Sequence, residues 1–252
     1  MQKQLSITAI IPARAGSKSI PLKNLALINE HPLIGYSIAA ARLCTAIDTC
    51  VVSTDSERIA EVARSYGAEV PFLRPIEIAQ DHSTDNEFFL HYYAYLREQK
   101  QPLPDFVVHL RPTTPLRSID VLESAIDSMR SSNEYTSLRS MHQTPITPYK
   151  LFYKKGRLAE PILRMEGVKE SYNRPRLEFP QVYQPNGIVD IVRPGVLLES
   201  GTLHGEKTYI FETEPSPDID CPHDLEDAQI QASKPIYQTL IAFMEKSHTS
   251  IR

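Results

Sequence analysis

Short apolar, β-branched runs alternate with stretches of helical spacing through the first half of the chain, and this rhythm restricts the fold more than any other feature. Residues 5–11 form such a run, ended by Pro12, and predict a buried strand. Residues 31–43 have helical spacing, with Leu33, Ile34, Ile38 and Ala39 to Ala41 as apolar positions after a turn at Asn29. Strand character returns at residues 49–53. A capped helical stretch follows, with Ile59, Val62 and Ala63 on one face and Gly67 at its close. Residues 87–98 then read as helix, 105–110 as strand and 118–129 as helix. Alternation of this kind needs crossover connections. It predicts an α/β fold with a mostly parallel sheet and helices on both faces.

At 252 residues with 41% apolar side chains, the chain can bury a substantial core as one domain with an excursion. The excursion is expected at about 144–185, where Pro, Tyr and Arg are frequent and no period is sustained. We read it as an inserted lid or dimer-contact segment. The segment "NGIVDIVRP" regains strand character, and residues 224–246 read as helix with a break at Pro235.

Charge and cysteine content narrow the function classes. The net charge is -4, so no overall basic field attracts nucleic acid or an anionic membrane, and any anion site is local. Cys44, Cys50 and Cys221 form neither a disulfide framework nor a zinc knuckle, which fits a reducing compartment. With neither a leader-like N-terminus nor an apolar run of spanning length, the expectation is a cytoplasmic protein.

One loop concentrates chemistry. After the first strand, "IIPARAGSKSIPLKNL" sets Arg14, Lys18 and Lys23 around Gly16 and the small residues Ala13, Ala15, Ser17 and Ser19. In an open α/β sheet ligands sit at the carboxyl ends of strands, where backbone N–H groups and cations meet an oxyanion. A polyphosphate fits. The P-loop pattern is absent, because Ile11 and Ser17 stand where its first glycine and its lysine belong, and G-x-G-x-x-G is absent too. Asp218 and Asp220, spaced i, i+2, point to one side of an extended segment and form a candidate divalent-ion pair. Asp224 is either a second support of that pair or a helix N-cap. The eight histidines show no H-E-x-x-H spacing and no nucleophile elbow accompanies them.

Five ordered segments carry a resemblance. They are residues 14–24 of the opening loop, "FLRPIEIAQDHST", "LRPTTPLR", "RLEFPQVYQPNG" and "PDIDCPHDLEDA". Together they resemble the acylneuraminate cytidylyltransferases, or CMP-sialic acid synthetases, including those that activate legionaminic and pseudaminic acids. The resemblance spans roughly residues 7–228. It implies a Rossmann-like nucleotidyltransferase that transfers CMP from CTP to the anomeric hydroxyl of an acidic nine-carbon 2-keto sugar, as a homodimer whose excursion reaches the partner.

The resemblance also implies roles. Arg14, Lys18 and Lys23 hold the triphosphate and carry catalysis; Ala13, Arg14, Gly16, Asn24, Arg74 and Ser83 contact the nucleotide; Arg111, Arg176 and Gln184 face the sugar; Asp218 and Asp220 hold Mg²⁺. Two positions depart from the family pattern, which usually has Gln at Arg111 and Arg at Gln184. A reciprocal exchange of charge within one pocket is the expectation they raise. Two other classes share some features: a glycosyltransferase with a D-x-D metal site, and a nucleotide-sensing module without turnover.

Overall fold

The computed structural model describes residues 5–249. Ten strands run in chain order as β1 (Ile7–Pro12), β2 (Leu27–Ile28), β3 (His31–Pro32), β4 (Thr49–Ser53), β5 (Phe106–His109), β6 (Ser137–Gln143), β7 (Phe152–Lys155), β8 (Leu158–Pro161), β9 (Tyr183–Val192) and β10 (Thr208–Glu212). Seven α-helices accompany them: α1 (Leu33–Leu43), α2 (Glu57–Ser65), α3 (Asp85–Glu98), α4 (Ile119–Arg130), α5 (Pro194–Ser200), α6 (Pro222–Ala232) and α7 (Gln238–Thr249). The central sheet has the order β10-β6-β9-β5-β1-β4. Its pairs are parallel except those of β9, which lies antiparallel to both β5 and β6.

The alternation along β1 shows why this strand is central. Ile7, Ala9 and Ile11 face a core built with α1, α2 and α4, while Ile10 faces a second core with Val51, Phe88, Phe89 and Tyr92. A strand that buries both faces reads as an unbroken apolar run, as this one does. Helix α1 is buried from Leu33 through Ala41, consistent with its apolar, Ala-rich surface.

Local chemistry sets several boundaries. The helix expected from His31 begins at Leu33, because His31–Pro32 pairs with Leu27–Ile28 across a tight turn in which Asn29 and Glu30 have φ of 47° and 65°. The helix expected from Glu87 begins at Asp85; Glu87 is the third residue of a capping box opened by Thr84. The C-terminal helix divides near Pro235 into α6 and α7.

The carboxyl ends of β1, β4 and β5 open on one side of the sheet. Strand β9 enters that side through Gly187, whose φ is +70° and where an added Cβ would lie 2.7 Å from the Thr114 hydroxyl. Only glycine suits so close an approach of β9 to the turn after β5. Between β6 and β9 the chain makes the exposed hairpin β7–β8, a two-stranded sheet of its own. No helix among the described residues is long and apolar enough to cross a membrane.

Candidate active site

The loop after β1 is held open by its neighbours. Ala13 N–H donates to the Ser53 carbonyl at 2.9 Å, and Ala15 N–H to the Asp55 carboxylate at 2.8 Å. The Asn24 amide donates to the Arg14 carbonyl at 2.8 Å, so it closes the loop back on itself. Between these anchors, the N–H groups of Gly16, Ser17, Lys18 and Ser19 have no hydrogen-bond partner among the described residues. Free N–H groups in a row beside cations form an anion cradle.

A cleft at the carboxyl ends of the strands brings together Arg14, Gly16, Lys23, Asn24, Arg74, Ser83 and Arg111, all expected from the sequence. Arg74 is not a surface cation. It is 6% exposed, donates to the Ser53 hydroxyl at 3.0 Å and carbonyl at 2.5 Å, and lies 5.0 Å from the centre of the Phe88 ring. Burial pulls its guanidinium down to about 10, so it stays cationic near neutrality. Ser83 accepts from Gln80 N–H at 3.0 Å. Ala13 is fully buried under the loop.

The cations are already engaged. Arg14 and Lys18 both pair with Asp81, at 2.7 and 2.5 Å, and these hydrogen bonds hold the Asp81 carboxyl below its ordinary range. Lys23 is buried, donating to the Ile219 carbonyl at 2.7 Å and to Asp220 at 3.1 Å. Lys23 lines the cleft, so this contact brings Asp220 next to it, although neither Asp218 nor Asp220 is among the cleft's described lining residues. Ile219 points into the core while Asp218 and Asp220 stay exposed, as i, i+2 spacing requires. Asp224 accepts from the N–H groups of Asp220 and Cys221 at 2.8 and 2.7 Å, which lowers its pKa; it is the third residue of α6 and closes a capping box on Cys221, so it supports the helix start without being its N-cap.

No group of three His, Cys, Asp or Glu side chains among the described residues is arranged to hold a metal. Two carboxylates nevertheless suit Mg²⁺, which commonly takes one or two from the protein and completes its shell with phosphate oxygens and water. The donor set of Asp218 and Asp220 fits that pattern.

Arg111 is fixed between two carboxylates, Asp190 at 2.7 Å and Asp85 at 2.9 Å; Arg139 reaches the other Asp190 oxygen at 3.3 Å. Arg176 lines a different pocket, with Thr144 and Phe179, and Gln184 is exposed on β9 opposite His142. Within one chain, therefore, the structure does not place Arg111 and Gln184 in a common cleft.

Sequence reasoning missed the acids Asp81, Asp85 and Asp190 and the buried base His109. Only the position of Asp85 beside a Thr84 cap hinted at a helix entering the site. His109 is fully buried against Phe88 and Phe89, with both ring nitrogens unpartnered and Asp85 3.9 Å away. Burial, reinforced by Arg111 and Arg117, holds its pKa well below the ordinary 6.5. The unfolded chain therefore takes up a proton that the folded ring refuses. Stability contributed by this group is complete above about pH 6.5 and declines as pH falls from there toward the folded-state value, by up to about 1.4 kcal/mol per pH unit. Urea midpoints at pH 7.5 and 5.5 should show a smaller acid loss in His109→Leu than in the parent; equal losses would contradict this assignment.

Comparison with known proteins shows the family and the fold. A family model described as cytidylyltransferase matches residues 8–178. The CMP-N,N'-diacetyllegionaminic acid synthase of Legionella pneumophila is 33% identical over 228 residues, covering 87% of this chain and 93% of that protein. The N-acylneuraminate cytidylyltransferase of Escherichia coli is 29% identical over 228 residues, 87% of this chain but 50% of the longer relative. A solved CMP:2-keto-3-deoxy-manno-octonic acid synthetase complexed with CTP superposes with a TM-score of 0.66 at 17% identity, covering 90% of this chain and 98% of that one, a likeness of fold. With its anion cradle at the end of β1, a family match over most of its length and a similar relative of nearly equal extent, the chain belongs to the cytidylyltransferase family.

Proposed function

We propose that this protein transfers CMP from CTP to the anomeric hydroxyl of an acidic nine-carbon 2-keto sugar, of the sialic, legionaminic or pseudaminic type, with release of pyrophosphate. The observation that carries the reading is the loop after β1, where unpartnered N–H groups from Gly16 to Ser19 stand among Arg14, Lys18 and Lys23. The names of the similar proteins supply the sugar class.

In this reading the anomeric oxygen bonds to the α-phosphorus while the bond from that phosphorus to the β-phosphate bridging oxygen breaks, and the hydroxyl proton passes to water. Such displacement depends on alignment and charge neutralisation more than on covalent help. Arg14 and Lys18 exchange Asp81 for phosphate oxygens, and the cradle receives the outer phosphates. Asn24, Arg74 and Ser83 position the nucleoside. Asp218 and Asp220 would hold a divalent ion, which when bound supplies further neutralisation at phosphate oxygens. Arg111, immobilised by Asp85 and Asp190, presents its remaining edge to the sugar.

Arg176 and Gln184 are assigned to the sugar bound by a neighbouring copy. The excursion supports that arrangement by exposing Tyr153, Leu158 and Leu177, the last at 98%, a contact surface for a homodimer.

Incubation with CTP, Mg²⁺ and a panel of nonulosonic acids, followed by pyrophosphate detection and mass measurement of the product, tests the proposal. Release with one acid and a product heavier than it by the cytidylyl group is the expected result. Silence with every nonulosonate and with the eight-carbon analogue would overturn it.

A further inference from the structure

We propose that a groove between α3 and α5 binds an amphiphilic monoanion, a carboxylate on an unbranched medium-length alkyl chain. The groove shares no lining residue with the active-site cleft and has a volume of about 680 Å³. Leu90 and Ala94 of α3, Leu103 and Leu198 give it an apolar floor, and the Leu90 and Leu198 side chains stand 43% and 52% exposed. Water covers those carbons at a cost that an alkyl chain would remove.

Two observations select the head group. Arg97 and Lys100 flank the apolar floor, and neither side chain has an ion pair or hydrogen bond among the described residues. Among the described residues no carboxylate lines the groove, so its lining offers positive charge to a ligand. A neutral hydrophobe would leave the two cations unmatched. A polyphosphate would find no row of free N–H groups and an apolar floor beneath it.

Calorimetric titration of the whole protein with hexanoate, octanoate and decanoate, each below its micellar concentration, tests this independently of enzyme turnover. One site per chain is expected, tightening roughly three- to fourfold for each added methylene. The exposed double variant Arg97→Glu/Lys100→Glu should weaken decanoate at least tenfold, with CTP affinity unchanged. Absence of saturable binding would overturn the proposal, as would affinity independent of chain length or a double variant that binds like the parent. A dimer that the double variant dissociates and decanoate does not would show the groove to be covered by a second copy, and would overturn it equally.

Discussion

Lys23→Ala is expected to lower the rate of pyrophosphate release by about 10² to 10³, the loss typical when one fixed electrostatic contact to developing charge is removed. The structure gives this lysine two tasks. It lines the cleft beside the anion cradle, and its ammonium binds the Ile219 carbonyl and the Asp220 carboxylate. Ile219 is tied on its other side through its N–H to the Thr113 carbonyl at 2.7 Å. Lys23 thus joins the first strand's loop to the segment that carries both candidate metal ligands. Alanine would remove a cation from the proposed phosphate site and also release that segment from one of its ties. The two effects separate in the measurement. Loss of phosphate contact lowers kcat at every magnesium concentration, whereas loss of the tie raises the magnesium concentration needed for half-maximal rate. Asp220→Ala should reproduce the second effect and a loss of similar size. Near-normal turnover in both variants would mean that the chemistry lies elsewhere.

The parts of the fold that were legible from the chain are those where one period dominates. β4 was read to the residue, because Thr49 to Ser53 is a compact β-branched run between a turn and a capped helix. β6 and β10 escaped notice. In "SLRSMHQ" polar residues occupy most positions, and the strand is specified by pairing with β9 and β10 rather than by its own apolar pattern. The site divides along a similar line. The cations Arg14, Lys23 and Arg74 stand in segments with recognisable order, and the structure gathers them in one cleft. Their acidic counterparts could not be read, because Asp81 and Asp190 owe their importance to partners at least 63 and 51 positions away. Pairing at that range is a property of the folded sheet. The local spacing of Asp218 and Asp220 was legible; the lysine that holds their segment was readable only as a phosphate ligand.

Arg117→Ala is expected to destabilise the protein by about 3 to 5 kcal/mol, more than any surface-charge substitution. Arg117 is 1% exposed and, among the described residues, is the largest side chain buried so fully. Its fork donates to four neutral oxygens: the carbonyls of Ile188 at 2.6 Å, Arg111 at 2.6 Å and Gly187 at 3.3 Å, and the Ser37 hydroxyl at 3.0 Å. Burial, with Arg111 as a nearby like charge, pulls its pKa down to about 9, while Asp218 and Asp190 oppose that fall. It therefore remains a cation at pH 7, solvated by protein oxygens in place of water. Truncation removes the unfavourable buried charge, but it takes a donor from the buried Ile188 and Gly187 carbonyls, while the Arg111 carbonyl keeps Thr114 N–H and the Ser37 hydroxyl, and it leaves a cavity the size of a guanidinium stem. The second pair of costs is the larger, at roughly 1 to 3 kcal/mol for each orphaned group. These contacts pin the end of β5 to β9 and α1, and the Arg111 carbonyl is one of them, so the arginine proposed to meet the sugar should loosen as well. Urea unfolding should show the midpoint falling with little change in slope. The more conservative Arg117→Lys keeps the charge but loses the planar fork, and should lie between parent and alanine. A loss below about 1 kcal/mol for alanine would show that water replaces the guanidinium in the core and that β9 is held to the active site by other means.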